Sequence, residues 1–423
     1  MRGTPDMQRD VIVIGAGPAG STAATLTAKH GHDVMLLERD TFPRFRIGES
    51  LMPATYWTLD RLGIQDKLHC DMFQEKHSVQ FFNGAGRGAA PFYFAEFDDH
   101  PSSQTWQVER AKFDKLLLDH AADCGVDVHQ KANVKEILFD GDTVIGVDVE
   151  FGDGRREKIH SKVVVDASGQ SSMLARKFGL RRYDSKLRHA AVFTRFKGAQ
   201  RGEGRDEGAT VILQTTDNYS WFWYIPLPDN IVSVGVVGPI DRLVSNRKGS
   251  PQEIFDAERD ACPGLQERIA SATQMDDVKV LRDFSYVSSR IAGDGWVLAG
   301  DAFGFLDPIY STGVFLAFKG AEMAADSIHE SLESGDLSGN SLGRHGATFL
   351  DGMEKMRKLV YAYYDKDFHI PSFLKQHPEC REPLVDLLVG NVFRRPTDHL
   401  FEALGRFCTL PEQRTLDGTP SST

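Results

Sequence analysis

One short glycine-rich turn near the start of the chain constrains the fold more than any other feature. Residues 11–14 form a β-branched apolar run that predicts a buried parallel strand, and the turn 15–20, Gly-Ala-Gly-Pro-Ala-Gly, follows it. Residues 21–30 predict a helix, and residues 33–37 predict a second strand that ends at Glu38. This strand, turn, helix and strand, with an acidic residue about 20 positions after the turn, predict a dinucleotide-binding site rather than a structural turn.

A second glycine-rich stretch, residues 84–90, lacks this context. Residues 91–97 follow it and predict a strand rather than a helix, so we interpret the stretch as a hairpin loop. The apolar run 163–165 predicts another buried strand, which ends in the small-residue turn Asp166-Ala-Ser-Gly169. The sequence therefore predicts one dinucleotide site and no separate nicotinamide domain.

Length and composition limit the remaining possibilities. A chain of 423 residues can bury two or three cores, and its net charge of −11 argues against nucleic acid and anionic membranes as partners. The five cysteines are widely separated, with no Cys or His pairing at metal-ligand spacing, so we predict reduced thiols, no metal ion and a cytoplasmic protein. No apolar run is long enough to span a bilayer, and the first residues lack a signal-peptide core.

The strand pattern changes between residues 186 and 240. Apolar and polar residues alternate there in four runs that predict an antiparallel sheet, at 190–196, 209–215, 219–226 and 231–237. Such a sheet is a suitable wall for a substrate cavity. The C-terminal part predicts helices at 342–368, 383–389 and 397–407, followed by a polar tail that we expect to be disordered.

These motifs together resemble the single-component flavoprotein monooxygenases. The resemblance spans residues 11–330 and rests on the turn 15–20, Glu38, Arg110, the turn 166–169 and Gly300-Asp301. It implies an α/β chain with a doubly wound FAD-binding domain, an inserted antiparallel-sheet substrate domain and a helical C-terminal region. It also implies that Glu38 holds the adenosine ribose, Arg110 lies along the cofactor, and Asp301 meets the ribityl and pyrophosphate groups.

Domain boundaries and cofactor contacts are predicted on this basis. The FAD-binding domain takes residues 8–75, 105–180 and 280–335, the substrate domain 76–104 and 181–279, the helical region 336–410 and the disordered tail 411–423. The cofactor contacts expected are Gly15, Ala16, Gly17, Pro18, Ala19, Gly20, Glu38, Arg39, Ile47, Gly48, Glu49, Ser50, Arg110, Val134, Asp166, Gly169, Gly300, Asp301, Gly313 and Val314. For Glu49, which stands near Arg44 and Arg46, a solvated charged loop is equally open.

A second anion site is indicated where a long predicted helix begins. The turn 300–313 leads into a helical pattern from Val314, so the helix start carries Ser311, Thr312 and Gly313. Their backbone N–H groups lack intrahelical partners and lie at the positive end of the helix dipole. Such an end binds anions, and two anions are open here, the charge on a reduced flavin ring and a halide ion.

Three further features resemble the flavin-dependent halogenases. Residues 221–226, Trp-Phe-Trp-Tyr-Ile-Pro, match the W-x-W-x-I-P motif of that family at every defined position. Residues 305–313, Phe-Leu-Asp-Pro-Ile-Tyr-Ser-Thr-Gly, match its F-x-x-P-x-x-S-x-G signature. The loop 45–50 carries a Gly-Glu-Ser core, and Lys76 follows it in the place of the essential lysine of these enzymes.

The halogenase resemblance implies a reaction and roles for these residues. Reduced FAD from a separate flavin reductase, O2 and chloride or bromide yield hypohalous acid, which Lys76 passes on by hydrogen bonding or as a haloamine. The N–H groups of Thr312 and Gly313 are the expected halide ligands, and Trp221 and Trp223 form a wall that prevents direct hydroxylation. The expected substrate is a small electron-rich aromatic ring, phenolic or pyrrolic.

Each of these residues also has a non-catalytic interpretation. Tryptophans two positions apart in a strand face the same side and usually pack in a core, and a single lysine in a loop is usually solvated. A helix start in this fold often serves only the flavin ring. The alternative function is a monooxygenase or geranylgeranyl-reductase-like oxidoreductase on the same fold, and a third is a flavin-binding protein without turnover.

The substrate subgroup is indicated by Tyr310 and by the C-terminal helices. Tyr310 stands where tryptophan halogenases carry a glutamate, which argues against free tryptophan as substrate. Residues 361–368 and 384–390 resemble halogenases for phenolic or pyrrolic substrates, some of which are tethered to an acidic carrier protein. The basic residues at 176–177 and 181–182 are either a docking surface for such a carrier or an ordinary solvated face. Free and carrier-bound substrates both stay open.

Overall fold

The computed structural model describes residues 8–246, 248–282, 284–393 and 397–417. The strands are β1 Gln8–Ile14, β2 Val34–Glu38, β3 Gln74–Lys76, β4 Ser78–Phe82, β5 Phe92–Tyr93, β6 Thr105–Gln107, β7 Asp127–Gln130, β8 Ala132–Asp140, β9 Thr143–Phe151, β10 Arg156–Asp166, β11 Arg181–Tyr183, β12 His189–Lys197, β13 Thr210–Gln214, β14 Trp221–Leu227, β15 Ile231–Pro239, β16 Thr273–Gln274, β17 Lys279–Arg282, β18 Tyr286–Ser288, β19 Ala292–Gly293, β20 Trp296–Leu298 and β21 Gly304–Phe305. The helices are α1 Pro18–Lys29, α2 Thr55–Leu62, α3 Arg110–Asp123, α4 Met173–Lys177, α5 Pro251–Asp260, α6 Pro263–Ile269, α7 Thr312–Ser334, α8 Gly339–Leu342, α9 Gly346–Tyr364, α10 Ile370–Gln376, α11 Arg381–Val389 and α12 Asp398–Leu404. Over these residues, no helix combines the length and the apolar character needed to cross a membrane.

The first large sheet carries the dinucleotide turn. Its strands follow the order β19-β20-β10-β1-β2-β7, and β10 also pairs with β9, which in turn pairs with β8. β1 is parallel to both β10 and β2, and its residues 11–14 are buried as the apolar run predicts. Because parallel strands with helices packed on them are buried on both faces, such runs are continuously apolar. The predicted doubly wound FAD-binding domain is confirmed.

The second large sheet is built from two separate segments of the chain. Its order is β16-β12-β15-β14-β13-β4-β5, with β17 beside β12, and its pairs are antiparallel except for β13 with β4. Strand alternation turns Trp221, Trp223 and Ile225 toward the core shared with the first sheet, while Phe222 and Tyr224 pack in a separate core. The antiparallel sheet predicted for the substrate domain is therefore present.

Two local expectations differ in detail. Of the strand predicted at 91–97, only Phe92–Tyr93 pairs with β4, and Phe94–Glu96 is a turn of 3₁₀-helix. Of the helix predicted at 342–368, residues 346–364 form α9, whereas residue 342 ends the separate short helix α8 and residues 365–368 are not helical. The hairpin loop predicted at the second glycine-rich stretch is observed. Across the turn, the backbone N–H of Asn83 donates to the carbonyl oxygen of Arg87, and the carbonyl oxygen of Asn83 accepts from the N–H of Gly86.

The expectation of a disordered tail from residue 411 does not hold for residues 411–417. Arg414 forms ion pairs with the buried carboxylates of Asp184 and Glu354, and Leu416 is buried. Asp184 also accepts hydrogen bonds from Arg357 Nε at 2.9 Å and from the Tyr361 hydroxyl at 2.7 Å. A buried carboxylate needs such partners, which is why this polar segment is held in place. Residues 418–423 lie outside the described residues.

Replacing Asp184 is expected to destabilise the fold. Burial by itself raises the pKa of Asp184, but hydrogen bonds from Tyr361 and Arg357 and the charge of Arg414 outweigh it and leave the pKa lowered. Asp184→Ala leaves the buried Arg357 and the half-buried Arg414 without their shared carboxylate, at a cost of about 3–5 kcal/mol in unfolding free energy at pH 7. Because the folded-state pKa is lowered, this contribution is present above the unfolded pKa of about 4 and is lost as the pH falls below it.

Urea unfolding of the wild type and Asp184→Ala at pH 7 and at lower pH measures this difference. Asp153→Asn, which removes an exposed carboxylate paired with Arg155 on a hairpin, is the matched control and should leave the midpoint unchanged. If the difference in unfolding free energy between the wild type and Asp184→Ala stays constant as the pH falls, the assignment to this ion pair is contradicted.

Candidate active site

The turn between β1 and α1 has no room for a side chain at two of its glycines, Gly15 and Gly20. At Gly15, where φ is +95°, a Cβ atom would lie 2.6 Å from the carbonyl oxygen of Ala167, and at Gly20 it would lie 1.8 Å from the carbonyl oxygen of Gly15. α1 starts with Gly17 as N-cap and Pro18 at its first position, where no N–H donor is required. A pyrophosphate group needs such close backbone approach and the positive end of a helix, so the turn fits one.

Glu38 ends β2 beside this turn. Its Oε2 atom accepts a hydrogen bond from the backbone N–H of Ala16, and its Oε1 atom accepts one from the N–H of Asp40, both at 2.9 Å. These bonds fix the carboxylate, and each oxygen keeps a second acceptor position that suits a ribose hydroxyl. Arg39, the next residue, is exposed. The residues present therefore fit a dinucleotide such as FAD.

Arg44 approaches the same turn, although the sequence analysis assigned it no contact. Its Nη1 atom donates to Asp114 Oδ2 at 2.9 Å, and its Nη2 atom lies 3.9 Å from Glu38 Oε2 and 3.8 Å from the place of a Cβ on Gly17. Its Nε atom is buried, lies 3.9 Å from Asp40 Oδ2 and makes no hydrogen bond in the described part of the chain. Arg44 thus brings a cation to the dinucleotide turn. The only sequence signal was the pair of arginines, Arg44 and Arg46, ahead of the Gly-Glu-Ser core.

Arg110 fixes the loop that carries the Gly-Glu-Ser core. Its Nε and Nη2 atoms donate to the two carboxylate oxygens of Asp114 at 2.7 and 3.0 Å, and its Nη1 atom donates to the carbonyl of Ile47 at 2.6 Å. At Gly48, where φ is +102°, a Cβ atom would lie only 3.0 Å from Nη1. The guanidinium therefore holds the loop through protein partners, and its contact with the cofactor stays a prediction.

A cavity between the second sheet and the start of α7 brings many predicted residues together. Phe193, Ile212, Ile225 and Phe305 give it apolar walls. The predicted residues in its lining are Ile47, Gly48, Glu49, Ser50, Trp223, Asp301, Gly313 and Val314. Apolar walls with a few convergent polar groups are typical of a cofactor or ligand site.

Two carboxyl groups face this cavity, the buried Glu49 and the partly exposed Asp301. Burial raises the pKa of Glu49 to about 7, against the opposing effects of a hydrogen bond with Ser233 and the charge of Arg195. Burial likewise raises the pKa of Asp301 to about 6, although the charge of Arg110 opposes the rise. Glu49 is only 2% exposed, so the solvated charged loop that the sequence left open is excluded. Perturbed acids in a cavity are typical of a functional site.

Asp166 and Gly169 build a turn beside the cavity. The carboxylate of Asp166 accepts hydrogen bonds from the backbone N–H groups of Ser168 at 3.0 Å and Leu174 at 2.8 Å. Gly169 takes a φ of +64°, and the next residue, Gln170, lines the cavity. Asp166 is thus committed to the turn, and its contact with the cofactor stays a prediction.

The turn at residues 300–301 lies directly against α1. At Gly300, where φ is +61°, a Cβ atom would lie 2.7 Å from the Cβ of Ala19. The structure therefore brings the dinucleotide turn and the Gly-Asp turn together, as one extended cofactor requires. Val134 of β8 is buried in the core around the first sheet, and its contact with the cofactor stays a prediction.

Lys76 is the most unusual side chain near the cavity. It ends β3, pairs with Thr105 of β6, and is only 2% exposed. Its ammonium group donates to Ser50 Oγ at 2.9 Å and to the carbonyl oxygen of Leu51 at 3.0 Å, and the ring centroid of Phe94 lies 5.5 Å away. Burial among these neutral groups lowers the pKa of Lys76 to about 7. The solvated loop lysine that the sequence left open is excluded.

Ser50 connects Lys76 to the cavity. Ser50 lines the cavity wall, and its hydroxyl lies 2.9 Å from the hydroxyl of Thr210, another lining residue. Gln107 Nε2 donates to the Thr210 hydroxyl at 2.8 Å. Lys76 itself is not in the cavity wall but lies one side chain behind it, so one hydroxyl group separates the amine from the cavity.

The two tryptophans of the W-x-W-x-I-P motif have different surroundings. Trp223 lines the cavity, and its Nε1 atom donates to Ser233 Oγ at 3.2 Å. Trp221 lies outside the lining, and its Nε1 atom donates to the Tyr364 hydroxyl at 2.9 Å. Both residues were predicted to form the substrate wall. Trp223 lies at this cavity, whereas Trp221 packs against the C-terminal helix α9.

A buried polar network supports the start of α7. The fully buried Asp307 accepts hydrogen bonds from the Tyr364 hydroxyl at 3.1 Å and from the backbone N–H of Ile309 at 3.0 Å. His189 Nδ1 lies 3.1 Å from the same carboxylate. Ser311 then takes a left-handed φ of +57° as the N-cap of α7. The sequence analysis assigned no role to Asp307, His189 or Tyr364, which are far apart in the chain.

The start of α7 meets the cavity at Gly313. A Cβ atom on Gly313 would lie 2.9 Å from the ring of Phe305, so only glycine fits without a shift of that ring. The first N–H groups of a helix have no intrahelical acceptor, and those of Thr312 and Gly313 are available to an anion. Thr312 is buried at 1% exposure. The geometry suits either anion that the sequence left open.

The chain matches one family model and is similar to several known proteins. The sequence model of a family described as FAD binding domain matches residues 8–336. The 1H-pyrrole-2-carbonyl-[peptidyl-carrier protein] chlorinase of Pseudomonas fluorescens is 30% identical, with 92% of this chain and 90% of that protein covered. The corresponding brominase of Pseudoalteromonas luteoviolacea is 34% identical, over 91% of this chain and 92% of that protein. The solved structure of flavin-dependent brominase Bmp2 superposes with a TM-score of 0.84 at 29% identity, covering 95% of this chain and 98% of that chain.

Removing the cation near the dinucleotide turn is expected to weaken cofactor binding. We expect Arg44→Gln to raise the dissociation constant for FAD about tenfold, because one hydrogen bond to a charged group contributes about 1.5 kcal/mol or more. Fluorescence titration of the apoprotein with FAD measures the change. Arg46→Gln is the matched control, since Arg46 is exposed and pairs with Asp40 on the same loop. Equal dissociation constants for the two variants would contradict a contact between Arg44 and FAD.

Proposed function

The chain belongs to the flavin-dependent halogenases, and we propose that it passes an oxidised halogen through Lys76 to an electron-rich phenolic or pyrrolic ring. The enzyme is an FAD-dependent oxidoreductase that uses chloride or bromide. The observation that carries the proposal is the burial of the Lys76 amine among neutral groups, one hydroxyl away from the cavity. A buried lysine without a carboxylate partner is costly to the fold, so a functional role explains its presence better than packing does.

The cofactor site proposed runs from the dinucleotide turn to the cavity. Reduced FAD, when bound, would give O2 two of the four electrons that its full reduction requires, and the halide would give the other two as it becomes hypohalous acid. Glu38 holds the ribose, the turn 15–20 and Arg44 hold the pyrophosphate, and the loop 47–50 encloses the ring. We propose that a separate flavin reductase delivers the reduced cofactor, because this chain shows a single dinucleotide turn and so no second site for a nicotinamide.

The halide is proposed to bind at the start of α7. The N–H groups of Thr312 and Gly313 donate to it, and the positive end of the helix stabilises its charge. Because Gly313 forms part of the cavity wall, the halide and the flavin ring would lie side by side. The buried network of Asp307 holds the turn before Ser311 and thereby orients these donors.

Lys76 is proposed to carry the oxidised halogen out of the cavity. A pKa of about 7 leaves both forms of the amine populated at neutral pH. The ammonium form donates a hydrogen bond to hypohalous acid. The neutral form takes the halogen from hypohalous acid and releases water, and the resulting N-halogen bond breaks when the aromatic ring attacks the halogen and loses a proton. Ser50 bridges the cavity and the amine in either case.

Trp223 supports halogenation over hydroxylation. Its indole fills part of the cavity wall and is fixed by Ser233, so an aromatic substrate on its far side is kept from the flavin ring. A monooxygenase or reductase of the same fold needs its substrate beside that ring. Trp223 and the buried lysine together favour the halogenase over this alternative.

A carrier-bound substrate is also proposed, and the basic surface around α4 is the proposed docking site. Arg176, Lys177 and Arg182 are exposed there, next to Tyr183, which is 57% exposed. Arg181 differs, because its guanidinium lies 3.6 Å from the ring centroid of Tyr286 and packs inward. The two pyrrole-2-carbonyl halogenases to which the chain is similar act on rings held by a peptidyl carrier protein. A carrier is acidic, so this surface has the complementary charge.

Removing the Lys76 amine is expected to abolish halogenation while FAD binding is kept. Lys76→Ala should lower the rate of halogenated product by about 10²–10⁴-fold, the range for loss of a positioned proton-transfer group. The assay combines the enzyme, a flavin reductase, NADH, O2 and bromide with a phenol or carrier-bound pyrrole and detects product by its halogen isotope pattern. Lys158→Ala, at an exposed lysine of the first sheet, is the control. Halogenation by Lys76→Ala at the wild-type rate would contradict the proposed role.

Reversing charge at the proposed docking surface is expected to weaken carrier binding selectively. The double variant Arg176→Glu/Lys177→Glu should raise KM for a carrier-bound pyrrole about tenfold and leave KM for a free phenol unchanged. The effect should shrink as salt is added, because exposed charges are screened. The double variant Arg155→Glu/Lys158→Glu, at two exposed basic residues near the start of β10, changes the net charge by the same amount and is the control. An unchanged KM for the carrier-bound substrate would contradict this location for docking.

A further inference from the structure

A cluster of metal-ligand side chains lies at the opposite ends of α1 and α7 from the cavity. His32 Nε2 lies 2.9 Å from His329 Nδ1, and these two atoms and a carboxylate oxygen of Glu333 all lie within 4.8 Å of one another. His32 and His329 are 297 positions apart in the sequence, so no spacing motif revealed them. Neither the comparisons nor the proposed reaction gives these residues a role.

The backbone around the cluster directs its side chains to one point. His329 and Glu333 are four positions apart on α7 and therefore lie on one face of the helix. His32 follows the end of α1 and precedes β2, so the third side chain comes from another element. Imidazole nitrogens that face each other at 2.9 Å share a proton in a hydrogen bond, and a small shift of either ring would let both bind one cation in its place.

Neighbouring residues fix the ring of His329. His30, the C-cap of α1, stacks on that ring with centroids 4.3 Å apart and an angle of 5° between planes. His30 Nε2 in turn lies 3.3 Å from Asp326, which also pairs with Arg61 at 2.5 Å. Partners that orient a metal-binding imidazole are a regular feature of metal sites. The cluster thus has ordered ligands and an ordered surrounding.

We propose that His32, His329 and Glu333 bind a divalent transition-metal ion, with Zn²⁺ as the ion that their chemistry suits best. Two imidazole nitrogens and one carboxylate are a regular ligand set for Zn²⁺, and a water molecule completes four-coordination. Imidazole ligands disfavour Ca²⁺ and Mg²⁺, which prefer oxygen. Because the carboxylate of Glu333 is partly exposed, an ion can enter from solvent.

The position of the cluster gives the metal a structural task. α1 starts at the dinucleotide turn and α7 starts at the cavity, and the cluster joins the far ends of these two helices. An ion bridging His32 to α7 ties the two helices together at a distance from the cofactor. Since the unfolded chain does not hold these three side chains together, binding the ion stabilises the folded state.

Zinc titration of the FAD-loaded enzyme tests the site. The protein is prepared without a histidine tag, in a Cys70→Ser background because Cys70 is an exposed thiol, and is treated with a chelator. Calorimetry should show one saturable Zn²⁺ site, and the melting temperature should rise with Zn²⁺. His32→Ala and His329→Ala should each weaken binding about tenfold or more and remove the rise in melting temperature.

His377→Ala is the matched control, because it removes a partly exposed histidine outside the cluster. The Nδ1 atom of His377 lies 2.9 Å from Glu379 Oε1. It should bind Zn²⁺ as the parent does. Glu333→Gln keeps the shape of the side chain. Weaker Zn²⁺ binding by a variant whose FAD content is unchanged shows loss of a ligand rather than misfolding. Absence of saturable binding in the parent, or equal binding by the parent and His329→Ala, would overturn the proposal.

Discussion

The burial of one lysine amine is the constraint on which the arrangement of this site depends. Lys76 reaches the carbonyl of Leu51 and the hydroxyl of Ser50 because β3 pairs with β6 beside the loop 47–50. That loop is in turn held by Arg110. Among the described residues the amine is buried against neutral partners, and this burial accounts for its lowered pKa. A short strand pair and one buried arginine thus bring a lysine of altered acidity to the cavity wall.

A second buried polar group supports the helix start that meets the cavity. Asp307 gathers the hydroxyl of Tyr364, the imidazole of His189 and the N–H of Ile309, and so joins α9, the second sheet and the turn before α7. These contacts fix the helix start whose N–H groups face the cavity at Gly313. The C-terminal helices are therefore part of the site, although they supply none of the cofactor contacts that we propose.

How much of this could be read from sequence depends on whether a signal is local. The turn 15–20 and Glu38 lie within one strand-helix-strand unit, so spacing and residue type sufficed to predict them. Lys76 came only through resemblance, since a lone lysine carries no local sign that it is buried. The sequence predicted that Trp221 and Trp223 form one wall. In the structure Trp221 bonds to Tyr364 and Trp223 bonds to Ser233, so the two rings have different surroundings.

Features that depend on contacts between distant segments could not be predicted. Arg44 is held beside the dinucleotide turn by its hydrogen bond to Asp114. Asp307 accepts a hydrogen bond from Tyr364, 57 positions away in the sequence. The polar residues from 411 looked disordered because their composition is polar, yet Arg414 is held by a buried carboxylate contributed from residue 184. In each case the partner that determines the conformation belongs to another element, and the composition of the segment gives no indication of it.

The acidity of Lys76 tests the account most directly. In protein labelled with ¹³C at the lysine Cε, the resonance that disappears in Lys76→Met identifies this amine, and its chemical shift is followed as the pH is varied. The account predicts a titration midpoint with a pKa of about 7. A midpoint near 10.4, the ordinary lysine value, would show a solvated amine and contradict the buried role on which the proposed halogen transfer rests.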